Sequence, residues 1–217
     1  NVVYSVRDRI ENTQYRRYRY THSKETLDNI IDKELQDEIE NLLFDPQCSW
    51  HYNPYTVTSE EEQHHAEQYN ISNELLKNVV DTQMFVHSIT KGTRIDDEKT
   101  GLVCAEILKQ FQTRADFPIE IVYRIQSNLQ IRDGHISEEQ HNVIHVDNYD
   151  PHYVIIYYVN DTDGDTLFFN ESSIIKRVSP KKGRILLFEG SNLHANQLPR
   201  KSLNRCVLNI NIQKGIK

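Results

Sequence analysis

The stretch HYVIIYYVNDTDGDTLFFN, residues 152–170, carries the pattern that decides the fold. Two runs rich in β-branched and aromatic residues, 152–160 and 166–169, flank a polar turn that contains Gly164. Such runs with a turn between them predict strands. The same texture extends in both directions, and further strands are predicted at residues 119–131, 142–147, 174–178, 184–188 and 205–213. Many short strands separated by turns predict a sandwich or jelly roll for the C-terminal half.

The sequence before Pro118 has a helical pattern instead. Apolar residues recur at helical spacing over residues 25–44, and Pro46 ends that predicted helix. A second helix is predicted after Ser72, and a third over residues 97–112. The predicted inward positions of these two helices are Leu75, Leu76, Val79 and Val80, and then Leu102, Val103, Ile107, Leu108 and Phe111. We therefore predict one mainly β domain over residues 1–217, with a mostly helical support region (1–118) and a β core (119–217).

The composition excludes several classes of protein. The chain has 217 residues, 37% of them hydrophobic, and a formal net charge of −7, which argues against general binding to a nucleic-acid backbone. No apolar run approaches the roughly 18 residues of a membrane span, and no secretory signal opens the chain. Three widely spaced cysteines argue against a disulfide framework, so a reducing, cytoplasmic location is expected. The sequence leaves the oligomeric state open.

One segment departs from the acidic balance. Residues 15–20, YRRYRY, are basic and aromatic, a combination that can stack on single-stranded nucleic acid. In an acidic chain we favour the alternative, an exposed arm whose charges face water. A nucleic-acid partner is therefore not expected.

The triplet His145-Val146-Asp147 is the first candidate for metal binding. Side chains at i and i+2 share one face of a strand, so both could bind one ion. A second triplet, His65-Ala66-Glu67, lies in a polar stretch with helical character, where i and i+2 diverge, and we predict that it is not a site. His194, 49 residues after His145, is the third candidate ligand. Two histidines and one carboxylate are the set that leaves three positions of iron(II) open.

Arg205 is the candidate for binding an anionic cosubstrate. It follows His194 by 11 residues and begins the last predicted strand. On that strand Arg205, Val207, Asn209 and Asn211 alternate with apolar residues, so one face is largely polar and could line a cavity. A guanidinium forms a two-pronged contact with a carboxylate, as the far end of a 2-oxo acid would require.

Together these segments resemble the 2-oxoglutarate/Fe(II) oxygenase superfamily, and its prolyl-4-hydroxylase-like branch most closely, in the small form known from bacteria and bacteriophages. The segments, in family order over roughly residues 120–213, are His145-Val-Asp-Asn, Ile-Tyr-Tyr158-Val-Asn, Asp-Gly164-Asp-Thr166-Leu-Phe, Gly183-Arg-Ile-Leu-Leu-Phe, His194-Ala and Arg205. The chain has Asp163 and Asp165 where the family's turn has Gly and Glu. Its basic residue is Arg rather than Lys, and Val207 stands where many members have Ser or Thr.

The resemblance implies a double-stranded β-helix, the cupin-like jelly roll, in a single oxygenase domain. It implies Fe(II) bound by His145, Asp147 and His194, and 2-oxoglutarate bound by Arg205 with Tyr158 as a second donor. The resemblance leaves open whether ascorbate is a further cofactor. Two residues of the run before the metal motif, Asn128 and Tyr123, are candidate contacts to the cosubstrate from the other wall. Halogenases of this superfamily have a small residue in place of the carboxylate, so Asp147 favours hydroxylation.

The substrate stays open at the level of sequence. Resemblance to the prolyl-4-hydroxylase-like branch ranks a peptidyl proline or other peptide side chain first. A free amino acid or other small metabolite ranks second, and a nucleobase third. A cupin-like metal-binding domain without turnover is the alternative from another class, but it leaves Arg205 without a role.

Overall fold

The structure is a computed structural model in which residues 24–56, 67–147 and 150–216 are described. These residues form three helices: α1 (Lys33–Leu43), α2 (Asn73–Leu76) and α3 (Glu98–Arg114). Helix α1 buries Leu35, Ile39 and Leu43, which recur every four residues and so lie on one face. Helix α3 begins after Asp97, whose carboxylate accepts a hydrogen bond from the backbone N–H of Thr100.

The described strands form two antiparallel sheets. The strands are β1 (Glu25–Leu27), β2 (His51–Asn53), β3 (Met84–Lys91), β4 (Arg94–Ile95), β5 (Ile119–Ile131), β6 (Tyr153–Tyr158), β7 (Thr166–Phe169), β8 (Ile174–Val178), β9 (Ile185–Glu189), β10 (His194–Asn196) and β11 (Asn204–Lys214). The larger sheet has the order β1-β9-β6-β11-β5-β3-β2, with β4 paired to β3. The smaller sheet has the order β10-β7-β8.

The alternation of side chains along β6 directs them into two of the three hydrophobic cores that the described residues form. Ile155 and Tyr157 pack in the core beneath helices α1 and α3. Val154, Ile156 and Tyr158 point to the opposite face and pack in the core between the two sheets. That second core is completed by residues of β7, β8, β9 and β11, namely Phe168, Val178, Leu186, Phe188 and Val207. The mainly β jelly roll with N-terminal helices is therefore confirmed.

Several details of the sequence-based prediction are wrong. The predicted helix over 25–44 begins only at Lys33, because Glu25–Leu27 forms an edge strand beside β9. Residues 142–147 form no strand, and only an isolated bridge joins His145 to His194. Leu102 is 67% exposed on α3, and helix α2 ends before Val79 and Val80.

The larger sheet also extends into the region before residue 119. Strand β3 lies between β2 and β5, in a part of the chain for which the pattern indicated mostly helix. No helix among the described residues is both long and apolar enough to cross a membrane. The basic segment at residues 15–20 lies outside the described residues.

Candidate active site

The backbone brings the two candidate metal-binding histidines side by side. His194 begins β10, and its backbone N–H and C=O pair with those of His145 at 2.9 and 3.0 Å. The centroids of the two imidazole rings are 4.6 Å apart. One ligand atom from each of His145, Asp147 and His194 lies within 4.8 Å of the other two. The three predicted ligands therefore form one cluster.

Both imidazole rings are oriented by hydrogen bonds to the backbone. The Nδ1 atom of His145 lies 2.9 Å from the carbonyl oxygen of Val143, and Nδ1 of His194 lies 3.0 Å from that of Asn192. A carbonyl oxygen only accepts, so Nδ1 donates in both rings and Nε2 keeps its lone pair for a metal. Burial and the neighbouring His145 lower the pKa of His194 to about 4, which keeps that ring neutral, as a ligand must be.

The carboxylate of Asp147 is only 6% exposed. The amide of Asn209 donates to its two oxygens at 3.3 Å each, and the amide of Asn211 donates at 3.1 Å. Burial opposes its ionisation, but the nearby imidazoles, the Arg124 guanidinium and the Asn211 hydrogen bond outweigh burial and lower the pKa of Asp147. Asp147 is therefore a buried anion whose close partners are neutral amides.

These donors fit a divalent transition metal. Two neutral imidazoles and one carboxylate form a set that first-row metals bind, and their second-sphere hydrogen bonds are already in place. A buried carboxylate is costly without a compensating cation, and the nearest guanidinium nitrogen, from Arg124, is 4.0 Å away. A metal ion would supply that charge.

A pocket of about 240 Å³ joins the metal cluster to Arg205. Alternate residues of β5 and β11 form much of its wall, because every second side chain points to the same face of a strand. The lining includes Arg124, Gln126, Asn128 and Gln130 from β5, Val207 and Asn209 from β11, and Thr56, Met84, Ile156, Thr166 and Asn196 from elsewhere. The pocket therefore has the triad and a buried cation on a common surface.

Arg205 is 4% exposed and is held by uncharged groups alone. Its Nε donates to the carbonyl oxygen of Gly164 at 2.9 Å, and a terminal nitrogen donates to the hydroxyl of Thr166 at 3.0 Å. The other terminal nitrogen is 3.4 Å from Oε1 of Gln130. Among the described residues no carboxylate forms an ion pair with it. A guanidinium in this setting needs an anion from outside the chain.

The hydroxyl of Tyr158 lies beside this cation. It is 2.7 Å from the hydroxyl of Thr166, and the Arg205 guanidinium carbon is 5.7 Å from the centre of the Tyr158 ring. Burial raises the pKa of Tyr158, so the phenol stays protonated and able to donate. Tyr158, Thr166 and Arg205 thus form one hydrogen-bonded group.

The two remaining predicted site residues lie on opposite faces of β5. Asn128 lines the pocket, and its Oδ1 accepts a hydrogen bond from Gln126 at 2.7 Å. Tyr123 is 40% exposed and its hydroxyl bonds Gln213 at 2.7 Å, away from the pocket lining. The two positions are five residues apart, and an odd spacing on a strand places side chains on opposite faces.

The sequence-based prediction missed the companions of Asn128. Arg124, Gln126 and Gln130 line the pocket with it, and all four occupy even-numbered positions of one predicted strand. That alternation of polar and largely apolar residues could have identified them. Thr56 and Met84 come from distant segments and carried no comparable signal.

The turn before β7 fixes the position of Arg205. Gly164, whose carbonyl oxygen accepts the hydrogen bond from Arg205, has φ of +98°. A Cβ there would come within 2.7 Å of the carbonyl oxygen of Gln197, so glycine is required at this position. The neighbouring Asp163 carboxylate accepts backbone hydrogen bonds from Arg200, Lys201 and Ser202 at 2.8 to 3.3 Å. Partial burial opposes ionisation, but these donors outweigh it and lower the pKa of Asp163 to about 2.

The Asp163 carboxylate predicts a stability that depends on pH. Its pKa in the folded protein is below its ordinary value of 3.8, so its contribution to stability is complete above about pH 4 and is lost as the pH falls towards 2. Asp163→Asn is expected to lower the free energy of unfolding by about 1 kcal/mol at pH 7, allowing for solvent screening. Urea unfolding of both proteins at pH 7, 5, 4 and 3 measures this. A difference that stays constant over this range would contradict the prediction.

The alternative triplet, His65-Ala66-Glu67, cannot be placed against the cluster because His65 and Ala66 lie outside the described residues. It stays a prediction that this triplet is not the metal site. His65→Ala is expected to leave the affinity for Mn²⁺ within about twofold of the parent, measured by calorimetry. A large loss of affinity would show that the metal is bound elsewhere or with a fourth ligand.

Comparison with known proteins supports the fold. An oxidoreductase of the 2OG-Fe(II) oxygenase family from Burkholderia pseudomallei superposes with a TM-score of 0.60 and 11% sequence identity, over 93% of this chain and 88% of that chain. A viral collagen prolyl hydroxylase from Paramecium bursaria Chlorella virus-1, solved with 2OG, gives a TM-score of 0.49 at 14% identity, over 89% and 96% of the chains. No protein-family model and no curated sequence matches this chain.

The chain therefore has the fold of a 2-oxoglutarate/Fe(II) oxygenase. At 11% identity the likeness extends to the fold and not to the substrate. The sequence motifs resembled this superfamily, and the structure has the jelly-roll fold that the resemblance implied.

Proposed function

We propose that this protein is an Fe(II)- and 2-oxoglutarate-dependent dioxygenase that hydroxylates a peptidyl proline or other peptide side chain. The observation that carries the proposal is two buried charges of opposite sign in one pocket, neither of which has a close ion-pair partner among the described residues. Asp147 accepts hydrogen bonds from neutral amides and lies 4.0 Å from the nearest guanidinium nitrogen, and Arg205 forms no ion pair with a carboxylate of the described residues. A divalent metal and a dicarboxylate would satisfy both.

The strand register places both charges along one wall of the pocket. Asn209, which contacts Asp147, is four residues from Arg205 on β11, about 13 Å along the strand. Asn209 and Arg205 both line the pocket, so a ligand within it would contact the triad and the guanidinium together. A metal-binding domain without turnover explains the triad but gives the buried Arg205 no role.

His145, Asp147 and His194 would hold the iron through two imidazole nitrogens and a carboxylate oxygen. The chemistry supplied at such a site is dioxygen activation, in which decarboxylation of 2-oxoglutarate to succinate and CO2 is coupled to hydroxylation of a substrate C–H bond. Arg205, Thr166 and Tyr158 would bind and orient the distal carboxylate of 2-oxoglutarate. The side chains of Met84, Ile156, Ala195 and Val207 would limit access of water to the reacting atoms.

The peptide substrate rests on the resemblance of the motifs to the prolyl-4-hydroxylase-like branch. The arrangement of the pocket is compatible with it. Polar side chains of β5 line the pocket together with Met84 of β3, Ile156 of β6, and Val207 and Asn209 of β11, so polar and apolar parts of a peptide side chain would both find contacts there.

Succinate formation tests the proposal. The purified chain with iron(II), ascorbate and 2-oxoglutarate is expected to form succinate faster when a proline-containing peptide is present, with stoichiometric hydroxyproline. Free amino acids and nucleosides serve as comparison substrates. If succinate formed only with one of these comparison compounds, that compound and not a peptide would be the substrate. Failure of 2-oxoglutarate to bind the metal-loaded chain would reject the reaction class.

A further inference from the structure

A second cation lies in the pocket, on the far side of the triad from Arg205. Arg124 of β5 stands opposite Asn211 of β11 in the strand register, whereas Arg205 stands opposite Gln130. Arg205 and Asn211 are six residues apart, about 20 Å along β11. Asp147 is held by Asn209 and Asn211, so the candidate metal site lies near the Arg124 end. The pocket thus has a guanidinium at each end.

The guanidinium of Arg124 can donate to a further hydrogen-bonding partner. Its side chain is 33% exposed, and one terminal nitrogen makes a 3.4 Å contact with Oδ1 of Asn209 and lies 4.0 Å from Asp147. Its Nε is buried and has no hydrogen-bond partner in the part of the chain that the structure describes. A buried N–H without an acceptor is unfavourable, so an acceptor from a ligand would satisfy it.

The strand beside Arg124 carries a further positive charge. Lys91 of β3 pairs directly with Arg124 in the register, and residues that face each other across two strands point to the same side of a sheet. Two like charges opposite each other are unfavourable unless an anion lies between or above them. The other cation of this edge, Arg94, is already paired with Asp96 at 2.7 Å. In a chain of net charge −7 this local positive patch is an exception.

Once a metal binds Asp147, the charge of that carboxylate is shared, and Arg124 is left with less compensation. We propose that Arg124, supported by Lys91, binds a carboxylate of the substrate. This inference rests on the proposed function, because it places the substrate's acidic group next to the metal and opposite the cosubstrate anchor. It narrows the substrate to a molecule with a carboxylate close to the hydroxylated carbon, either a free acid or a peptide with a neighbouring acidic residue. Gln126 and Asn128 continue the same wall and would contact the remainder of the molecule.

Matched acid and amide probes test this inference without turnover. The chain is loaded with Mn²⁺ and 2-oxoglutarate, and calorimetry measures the binding of each probe. The first pair is N-acetylproline and N-acetylprolinamide. The second is a blocked peptide with proline next to glutamate, and the same peptide with glutamine. The two pairs distinguish a free carboxylate from an acidic side chain.

We expect the acid of at least one pair to bind about tenfold or more tightly than its amide, the effect of a charged hydrogen-bonded pair. Arg124→Gln should reduce this preference to below about threefold, Arg124→Lys should retain part of it, and Lys91→Gln should weaken it by a smaller factor. Lys109→Gln, on the exposed face of α3, should leave it unchanged. Thermal unfolding of each variant verifies that it is folded.

Equal binding of acid and amide in both pairs, or no binding of any probe, would overturn the inference. So would an acid preference that survives Arg124→Gln. In each case the binding of Mn²⁺ and 2-oxoglutarate, measured first without a probe, decides separately on the proposed function.

Discussion

Replacing Asp147 with alanine is expected to weaken metal binding by more than about a hundredfold, because changes to residues that only support metal ligands already cost 10- to 100-fold. The same substitution removes the acceptor of the Asn209 and Asn211 amides and the anion that faces Arg124. The metal-free variant is therefore expected to be less stable than the parent. Adding Mn²⁺ at 100 times its dissociation constant should stabilise the parent by about 2.7 kcal/mol and the variant very little. Thermal unfolding with and without metal measures both effects.

Three companion variants make this result specific. His194→Ala should lose metal binding in the same way, and Asp147→Asn should lose most of it while keeping the shape of the side chain. His135→Ala is the matched control, because His135 is exposed in the loop before the metal motif and lies outside the cluster. Retention of metal binding in Asp147→Ala, or its loss in His135→Ala, would show that the triad has been assigned wrongly.

The β core was predictable because its strands are short runs rich in β-branched and aromatic residues with turns between them. Tyr158 and Val207 face the inter-sheet core while Tyr157 and Leu208 face the helices, because successive side chains of a strand point to opposite faces. The same rule predicted the polar face of β11 that carries Arg205 and Asn209. On β5 the same alternation places Arg124, Gln126 and Gln130 on the pocket face with Asn128, and Tyr123 on the other face.

The features that could not be predicted depend on contacts distant in sequence. Residues 142–147 were predicted as a strand, but only His145 pairs, with His194 across the chain. Glu25–Leu27 has a helical pattern and becomes a strand because the edge of β9 is available to it. The triad was still predicted correctly as a cluster, since its order and residue types did not depend on whether that segment is a regular strand.

The proposed role of Arg205 in binding 2-oxoglutarate rests on the absence of an anionic partner for it among the described residues. Its five N–H groups meet a carbonyl, a hydroxyl and a side-chain amide, and none of these carries a negative charge. Arg184 provides the contrast, because it forms a two-pronged ion pair with Asp28 at 2.8 Å. A structural arginine has its anion within the chain. We expect the anion of Arg205 to arrive with the cosubstrate.

Arg205→Ala should therefore weaken 2-oxoglutarate binding several hundredfold, since removing one member of a buried charge pair costs about 3–5 kcal/mol. Mn²⁺ binding should survive, because the metal has its own ligands, and Arg205→Lys should fall between parent and alanine, keeping the charge but losing the planar fork. Calorimetric titration of 2-oxoglutarate into the Mn²⁺-loaded proteins measures this. Arg184→Ala is the control, and it is expected to lose stability while its affinity for 2-oxoglutarate stays unchanged. If Arg205→Ala behaved like Arg184→Ala, Arg205 would be structural, and a metal-binding jelly roll would remain.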